Sequence, residues 1–390
     1  MINRRNALCL GLGTLAGVVM PSSKLLSQIA AIAQNESLFR TFPVANQSSL
    51  MERAKAKGLD YGSAILHHHL NSNAEYADSI LRECNMIVPE WEFKWSAGAR
   101  PLRPAPHRFD FTLADESTAF ANDHNLLLRG HTLVWHLSLP SWFSETVNSQ
   151  NADAYLTEHI QTVVGRYAGQ IHSWDVVNEA IDLQDGRSDG LRRTPWLEFL
   201  GTDYIKRAFQ IAAAADPNAL LVYNDYGFEY DKLEDEAKRT AVLKLLERLK
   251  SQGTPIHAFG IQSHLDGSET RLNPRKLRQF LADVADLGLK ILVTELDVTD
   301  KDLAANSTVR DRVVAAAYED YLNMVLDEPA VIAVVTWGLS DRYTWLSEFQ
   351  PRQDRLPVRP LPLDENMNRK LAWNAIARSL DQAIARGMQP

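Results

Sequence analysis

The chain has 390 residues, of which 45% are hydrophobic and 23% are charged, a composition typical of folded globular proteins. Its formal net charge of −8 argues against a nucleic-acid or anionic-membrane partner, because both attract concentrated lysine and arginine. A neutral substrate fits this composition better.

The first 33 residues are typical of an export signal of the twin-arginine type. Arg4 and Arg5 precede an uncharged apolar run, residues 7 to 20, that is short for a membrane-spanning helix. The sequence predicts cleavage after Ala33 and export to the periplasm or the extracellular space. An uncleaved anchor and an ordinary amphipathic first helix are the alternatives.

Residues 34–49 form a polar lead-in to the remaining chain. Only one of the two cysteines, Cys84, lies beyond the predicted signal, because Cys9 falls inside it. The exported chain therefore has no intramolecular disulfide, and its fold depends on its hydrophobic core.

Eight short apolar runs then alternate with segments whose apolar residues recur at helical spacing. Continuous apolar strands that alternate with helices indicate a parallel sheet, and eight such units predict a closed (β/α)8 TIM barrel. We expect a single catalytic domain over residues 50–385, with a doubly wound open sheet as the alternative. The runs begin near residues 59, 85, 126, 171, 219, 256, 290 and 331.

Polar and aromatic residues follow the apolar runs at the positions where the strands should end. Because active sites of such barrels lie at the carboxyl ends of the strands, these residues are expected to meet on one rim. They are Glu90, Lys94 and Trp95; His131, Trp135 and His136; Asn178 and Glu179; Asn224, Asp225 and Tyr226; Gln262 and His264; Glu295 and Asp297; and Trp337.

Two of these residues, Glu179 and Glu295, form a candidate pair of catalytic carboxylates. The predicted fourth and seventh strands carry them, and these strands face each other across the barrel mouth. Paired carboxylates are typical of glycoside cleavage, in which one is a neutral acid and the other is charged. We expect burial to keep Glu179 protonated, while His264 and Asp297 keep Glu295 ionised. Helix capping is the alternative role for either glutamate alone.

The run His67-His68-His69 has no closed set of metal ligands around it, so we expect it to form a loop edge near the cleft. Neither a metal nor an organic cofactor is expected.

An ordered set of motifs resembles glycoside hydrolase family 10, the retaining endo-1,4-β-xylanases, over about residues 50 to 376. The motifs are RGHTLVWH followed by LPSW, WDVVNEA, GIQSHL, TELDV and TWG. The resemblance implies that Glu179 is the general acid and base and that Glu295 is the nucleophile. It also implies that their carboxyl groups lie about 5 to 5.5 Å apart.

The resemblance assigns supporting roles around this pair. Asn178 would bind the 2-hydroxyl of the attacked sugar, and His264 would contact Glu295 while Asp297 fixes its tautomer. The residues expected to contact the sugar chain are Glu90, Lys94, His131, Trp135, Asn178, Gln262, His264, Trp337 and Trp345.

The chain departs from the family pattern after the second strand. The family usually has Glu-Asn-Glu-Met-Lys-Trp there, whereas this chain has Glu90-Trp91-Glu92-Phe93-Lys94-Trp95. A tryptophan cannot repeat the paired hydrogen bonds of an amide. We therefore hypothesise that Trp91 binds the sugar chain by stacking, which would loosen the choice between xylose and glucose units or admit a decorated chain.

Xylan is the expected substrate and partner, and the protein is expected to act as a monomer. Two other functions stay open at this stage. One is hydrolysis of a β-1,4-glucan or mixed-linkage glucan, and the other is polysaccharide binding without catalysis, which would need no facing carboxylate pair.

Overall fold

A computed structural model describes residues 39–98 and 100–387. The predicted export signal, residues 1–33, and the first part of the polar lead-in lie outside these residues. Among the helices of the described segments, none has both the length and the apolar character needed to cross a bilayer.

Parallel strands alternate with helices along the chain, as the sequence predicts. The strands are β1 (Asp60–Ile65), β2 (Met86–Pro89), β3 (Leu127–Val134), β4 (Ser173–Asn178), β5 (Leu220–Asp225), β6 (Ala258–Ile261), β7 (His264–Asp266), β8 (Lys290–Thr299) and β9 (Val331–Thr336).

Helices connect these strands and form the outer layer. They are α1 (Leu50–Lys55), α2 (His67–Ser72), α3 (Ala74–Glu83), α4 (Thr112–Asp123), α5 (Phe143–Thr146), α6 (Ala152–Arg166), α7 (Pro195–Leu200), α8 (Tyr204–Ala215), α9 (Leu233–Ser251), α10 (Pro274–Asp286), α11 (Ser307–Val325), α12 (Leu346–Phe349) and α13 (Leu371–Gln382). Single 3-10 turns lie at Leu183–Asp185, Gly201–Asp203 and Asp341–Tyr343.

The sheet closes on itself into a barrel. Its order is β6-β5-β4-β3-β2-β1-β9-β8, and β6 pairs in parallel with β8, with Ala258 opposite Lys290. The short strand β7 follows β6 and extends the pairing with β8, with His264 opposite Asp297. The predicted (β/α)8 barrel is therefore confirmed.

Two apolar layers hold the barrel together. Alternate strand residues such as Ala64, Val88, Val222 and Leu292 pack with one another in one cluster. The intervening residues pack in a larger cluster with the helices. Because successive side chains of a strand point to opposite faces, the first cluster fills the barrel interior and the second joins sheet to helices.

The histidine run differs from the expected loop edge. His67, His68 and His69 begin the short helix α2 directly after β1. Three consecutive histidines carry no apolar periodicity, so the sequence pattern gave no sign of a helical turn.

Candidate active site

The predicted catalytic residues gather on the rim formed by the carboxyl ends of the strands. The expectation for Trp95 was wrong, because it is 3% exposed and its ring stacks on the buried His159 at 3.8 Å in the core. Asn178 is the last residue of β4 and Glu179 follows it, while Glu295 and Asp297 lie in the second half of β8. The register shifts near these positions, between Asp175 and Val177 in β4 and within β8 before its pairing resumes at Leu296. Such irregularities re-aim side chains, and Glu179 itself has a left-handed backbone with φ of 58°.

Two amide residues tie the two glutamates to each other. The carbonyl oxygen of Asn224 accepts the backbone N–H of Glu179 (2.8 Å), and its side-chain Nδ2 donates to Glu295 Oε1 (2.8 Å). Gln262 does the converse, because its carbonyl oxygen accepts the backbone N–H of Glu295 (2.9 Å) and its Nε2 donates to Glu179 Oε1 (3.0 Å). Each amide residue therefore holds the backbone of one glutamate and the carboxyl group of the other, which fixes the two carboxyl groups relative to each other.

Glu295 lies in a network that favours its charged form. His264 Nε2 lies 3.2 Å from Glu295 Oε2, and His264 Nδ1 lies 2.9 Å from Asp297 Oδ1. Burial alone would lower the pKa of His264, but these two carboxylates raise it well above its usual value. Burial likewise raises the pKa of Glu295, but the hydrogen bond from His264 and the nearby positive charges outweigh burial and bring the pKa to about 2.

Glu179 lies in surroundings that favour its neutral form. Its Oε2 accepts the indole N–H of Trp135 (2.9 Å), and its Oε1 accepts from Gln262 and from Asn178 Nδ2 (3.2 Å). Burial raises the pKa of Glu179 in spite of the hydrogen bonds from Gln262 and Trp135. The pKa values of the two carboxyl groups are thus shifted in opposite directions, as an acid and a charged partner require.

Glu90 and Lys94, a carboxyl group and an amine, line the wall beyond β2. Lys94 Nζ lies 4.9 Å from the ring centre of Trp135. Burial raises the pKa of Glu90 to about 8 against the opposing effect of Lys94, and burial also lowers the pKa of Lys94. This wall therefore offers a carboxyl group and an amine as hydrogen-bonding groups.

His131 is held from behind by a buried carboxylate. Its Nδ1 lies 2.9 Å from Asp175 Oδ2, and the guanidinium of Arg129 bonds to the other oxygen of Asp175. The ring of Trp337 meets His131 edge to face at 5.3 Å. His131 therefore keeps a fixed orientation in the second half of β3.

The two late tryptophans lie on the His264 side of the site. Trp337 is 5% exposed and packs against the barrel-interior cluster. Trp345 has its ring centre 5.1 Å from that of His264, and its indole N–H donates to Asp297 Oδ2 (2.7 Å). Both tryptophans therefore belong to one wall, and Trp345 also fixes the carboxylate that orients His264.

Sequence patterns left three contributors without a role. Asn224 was noted only as a strand end, Asp175 was not singled out, and Arg192 lies in the loop after β4 without any motif. Arg192 Nε donates to the carbonyl oxygen of Glu179 (2.8 Å), and Nη2 donates to the hydroxyl of Tyr226 (2.9 Å). The bond from Asn224 on β5 to Glu295 on β8 reaches across β6, so it could have been anticipated only from the β5–β6–β8 strand order.

Comparison with known proteins places the chain among enzymes of one family. A family model for glycosyl hydrolase family 10 matches residues 49–379. A β-1,4-xylanase from Dictyoglomus thermophilum is 36% identical over 325 residues, which cover 81% of this chain and 87% of that protein.

Solved structures agree with this match. The native xylanase 10B of Thermotoga maritima superposes with a TM-score of 0.77 at 33% identity, covering 86% of this chain and 98% of that one. The xylanase 10B of Thermotoga petrophila in complex with xylobiose gives 0.77 at 32% identity, covering 87% and 99%. The chain belongs to glycosyl hydrolase family 10.

Proposed function

We propose that this protein hydrolyses internal β-1,4-xylosidic bonds of xylan by double displacement, with retention of the anomeric configuration. The observation that carries the proposal is the pair Glu179 and Glu295, which share amide partners and are pushed toward opposite protonation states. Similar proteins support the substrate, since they include a β-1,4-xylanase and a xylanase crystallised with xylobiose.

Each glutamate has a distinct role in this reaction. In the first step Glu179 gives its proton to the leaving glycosidic oxygen while Glu295 attacks the anomeric carbon, so one C–O bond breaks and a glycosyl–Glu295 ester forms. In the second step the ionised Glu179 takes a proton from water, which attacks the same carbon and releases Glu295. We expect a carboxyl separation of about 5 to 5.5 Å.

The neighbouring residues stabilise these steps. Asn178 would donate to the 2-hydroxyl of the attacked sugar, an interaction that strengthens as positive charge develops at the anomeric carbon. His264, fixed by Asp297, would keep Glu295 charged before attack, and Gln262 would line the same wall.

The remaining predicted residues would bind the glycone sugars. Glu90, Lys94, His131 and Trp135 would hydrogen-bond their hydroxyl groups, while Trp337 and Trp345 would give the sugars apolar faces. Neutral sugars suit a wall whose acid and base are both shifted toward their uncharged forms.

Removal of the nucleophile gives the first prediction. Glu295→Ala should lower kcat for xylan by about four orders of magnitude or more, because no other group can form the glycosyl ester. With azide and an aryl β-xylobioside, this variant should form the α-glycosyl azide, since a single displacement inverts the anomeric carbon. The measurements are reducing-sugar release and NMR of the azide product.

Glu179→Ala is the matched control, because it keeps Glu295 and should therefore give the β-glycosyl azide through two displacements. Reducing-sugar release from xylan by neither wild type nor variant would favour a noncatalytic binding role. A wild type that acts on carboxymethylcellulose in preference to xylan would favour the glucan alternative.

The opposed pKa shifts give the second prediction. Activity needs Glu295 ionised, which holds above its pKa of about 2, and Glu179 protonated, which holds only below its raised pKa. The kcat/KM for xylan should therefore follow a bell-shaped pH profile whose alkaline limb reports Glu179.

A substrate with an activated aryl leaving group allows a variant without the acid to be measured, because departure of such a group needs no proton. On it, Glu179→Gln should lose the alkaline limb of kcat/KM that the wild type shows on xylan. A limb that persists with an unmoved midpoint would assign it to another group, such as Glu90, whose pKa burial raises to about 8.

The amide ties give the third prediction. A Cβ on Gly260 would lie 2.3 Å from Asn224 Oδ1, so Gly260→Ala should displace the side chain that holds Glu295. We expect kcat for xylan to fall about 100-fold, the usual effect of a small misplacement in a catalytic site. Gly165→Ala is the control, because no atom lies within 4 Å of a Cβ placed on the Gly165 backbone. A folded Gly260→Ala variant, checked by circular dichroism, that keeps full kcat would contradict this account.

We also propose that residues 1–33 direct export, followed by the lead-in 34–49 and the catalytic domain 50–385. The paired arginines and the apolar run support this proposal, as does a polymeric substrate that cannot enter a cell. Mass spectrometry of the exported protein should find an N-terminus at Gln34. The double change Arg4→Lys and Arg5→Lys should leave the full-length precursor inside the cell, and undiminished export would contradict the twin-arginine route.

A further inference from the structure

Four aromatic side chains form a row on the rim outside Glu90, which we name the aromatic arc: Trp91, His68, His69 and Tyr343. Successive ring centres lie 6.3 Å apart between Trp91 and His68, 3.9 Å between His68 and His69, and 4.0 Å between His69 and Tyr343. They come from the loop after β2, from helix α2 after β1 and from the 3-10 turn after β9, and these three strands are adjacent in the sheet.

The arc has a fixed position, and its residues Trp91 and His68 are exposed. Trp91 is 40% exposed, and a Cβ on Gly98 would lie 2.7 Å from its Cε3, so the glycine backbone supports the indole. The buried carboxylate of Glu92 accepts the backbone N–H of His67 (2.9 Å) and that of Trp91 (3.1 Å), which ties the two loops together. These contacts restrain the arc before any ligand binds.

The central histidine of the arc, His69, has a lowered pKa. Burial lowers the pKa of His69 to about 4, so its ring is neutral at ordinary pH where it stacks on Tyr343. The hydroxyl of Tyr343 accepts a hydrogen bond from Asn73 Nδ2 (2.9 Å), which further holds that ring. Neutral aromatic faces suit the C–H faces of an uncharged sugar ring.

The arc adjoins two segments that carry residues of the proposed cleft wall. Trp91 follows Glu90 in the chain, and Tyr343 lies two residues before Trp345, whose indole bonds to Asp297. A sugar chain that leaves the catalytic glutamates past Glu90 and Lys94 would therefore meet the arc next.

We propose that the aromatic arc is a binding site for the third glycone sugar of the xylan chain, counted from the bond that is cleaved. The inference rests on the proposed function and extends it, because it assigns a sugar-binding role to His68, His69 and Tyr343, which no motif singles out.

The test compares para-nitrophenyl β-xylobioside with para-nitrophenyl β-xylotrioside. Both carry the same leaving group, and nitrophenol release at concentrations well below KM reports only the binding mode that places the aryl group across the cleavage point. The ratio of their kcat/KM values therefore measures the contribution of the third sugar.

For the wild type we expect the trioside to be favoured by about fivefold to tenfold, which corresponds to about 1 to 1.4 kcal/mol. His68→Ala and His69→Ala should each bring this ratio toward one while the xylobioside value changes by less than about twofold. Phe39→Ala is the control, because Phe39 is 81% exposed and the adjacent Arg40 pairs with Asp320 on the outer helix α11.

The outcomes separate the inference from the function it rests on. A wild type that releases nitrophenol but shows a ratio near one, or a ratio that survives both arc substitutions, overturns the arc alone. Equal losses on both substrates overturn the assignment to the third sugar. Absence of nitrophenol release from either substrate by the wild type overturns the proposed function as well.

Discussion

The proposed reaction depends on holding the carboxyl groups of Glu179 and Glu295 near each other while only one of them is charged. Two like charges close together would repel, so the protein must lower the free energy of one ionised form and raise that of the other. His264 and the neighbouring cations act on Glu295, and burial acts on Glu179. The crossed hydrogen bonds of Asn224 and Gln262 make this arrangement rigid, because neither glutamate can shift without straining a bond to the other's partner.

The barrel positions these residues at its rim, apart from the apolar core that stabilises the fold. An apolar cluster of mostly small and branched side chains fills its interior up to the level of Trp337, and the residues of the site lie near the carboxyl ends of the strands. A chain of this length can therefore separate a packed, apolar lower part from a polar rim. The irregular pairing near the ends of β4 and β8 lies next to this rim. It interrupts the regular alternation of side chains and so re-aims the side chains of the site.

Much of this could be predicted from the sequence, for an identifiable reason. A parallel barrel brings all strand ends to one rim, so strand order alone was enough to group Glu179, Glu295 and His264. What could not be predicted depends on reach across strands, such as the side chain of Asn224, or on loops without periodicity, such as the helical turn at His67 and the position of Arg192. The export signal lies outside the described residues and stays a prediction.

The indole of Trp345 touches the sugar-facing wall on one side and bonds to Asp297 on the other. Asp297 in turn sets the orientation of His264 beside Glu295. Redesign of the loop after β9 to admit a bulkier sugar would therefore also alter how readily Glu295 stays ionised. Under the proposed mechanism, the fit of the sugar and the reactivity of Glu295 depend on the same indole, so engineering one without compensating for the other would change both.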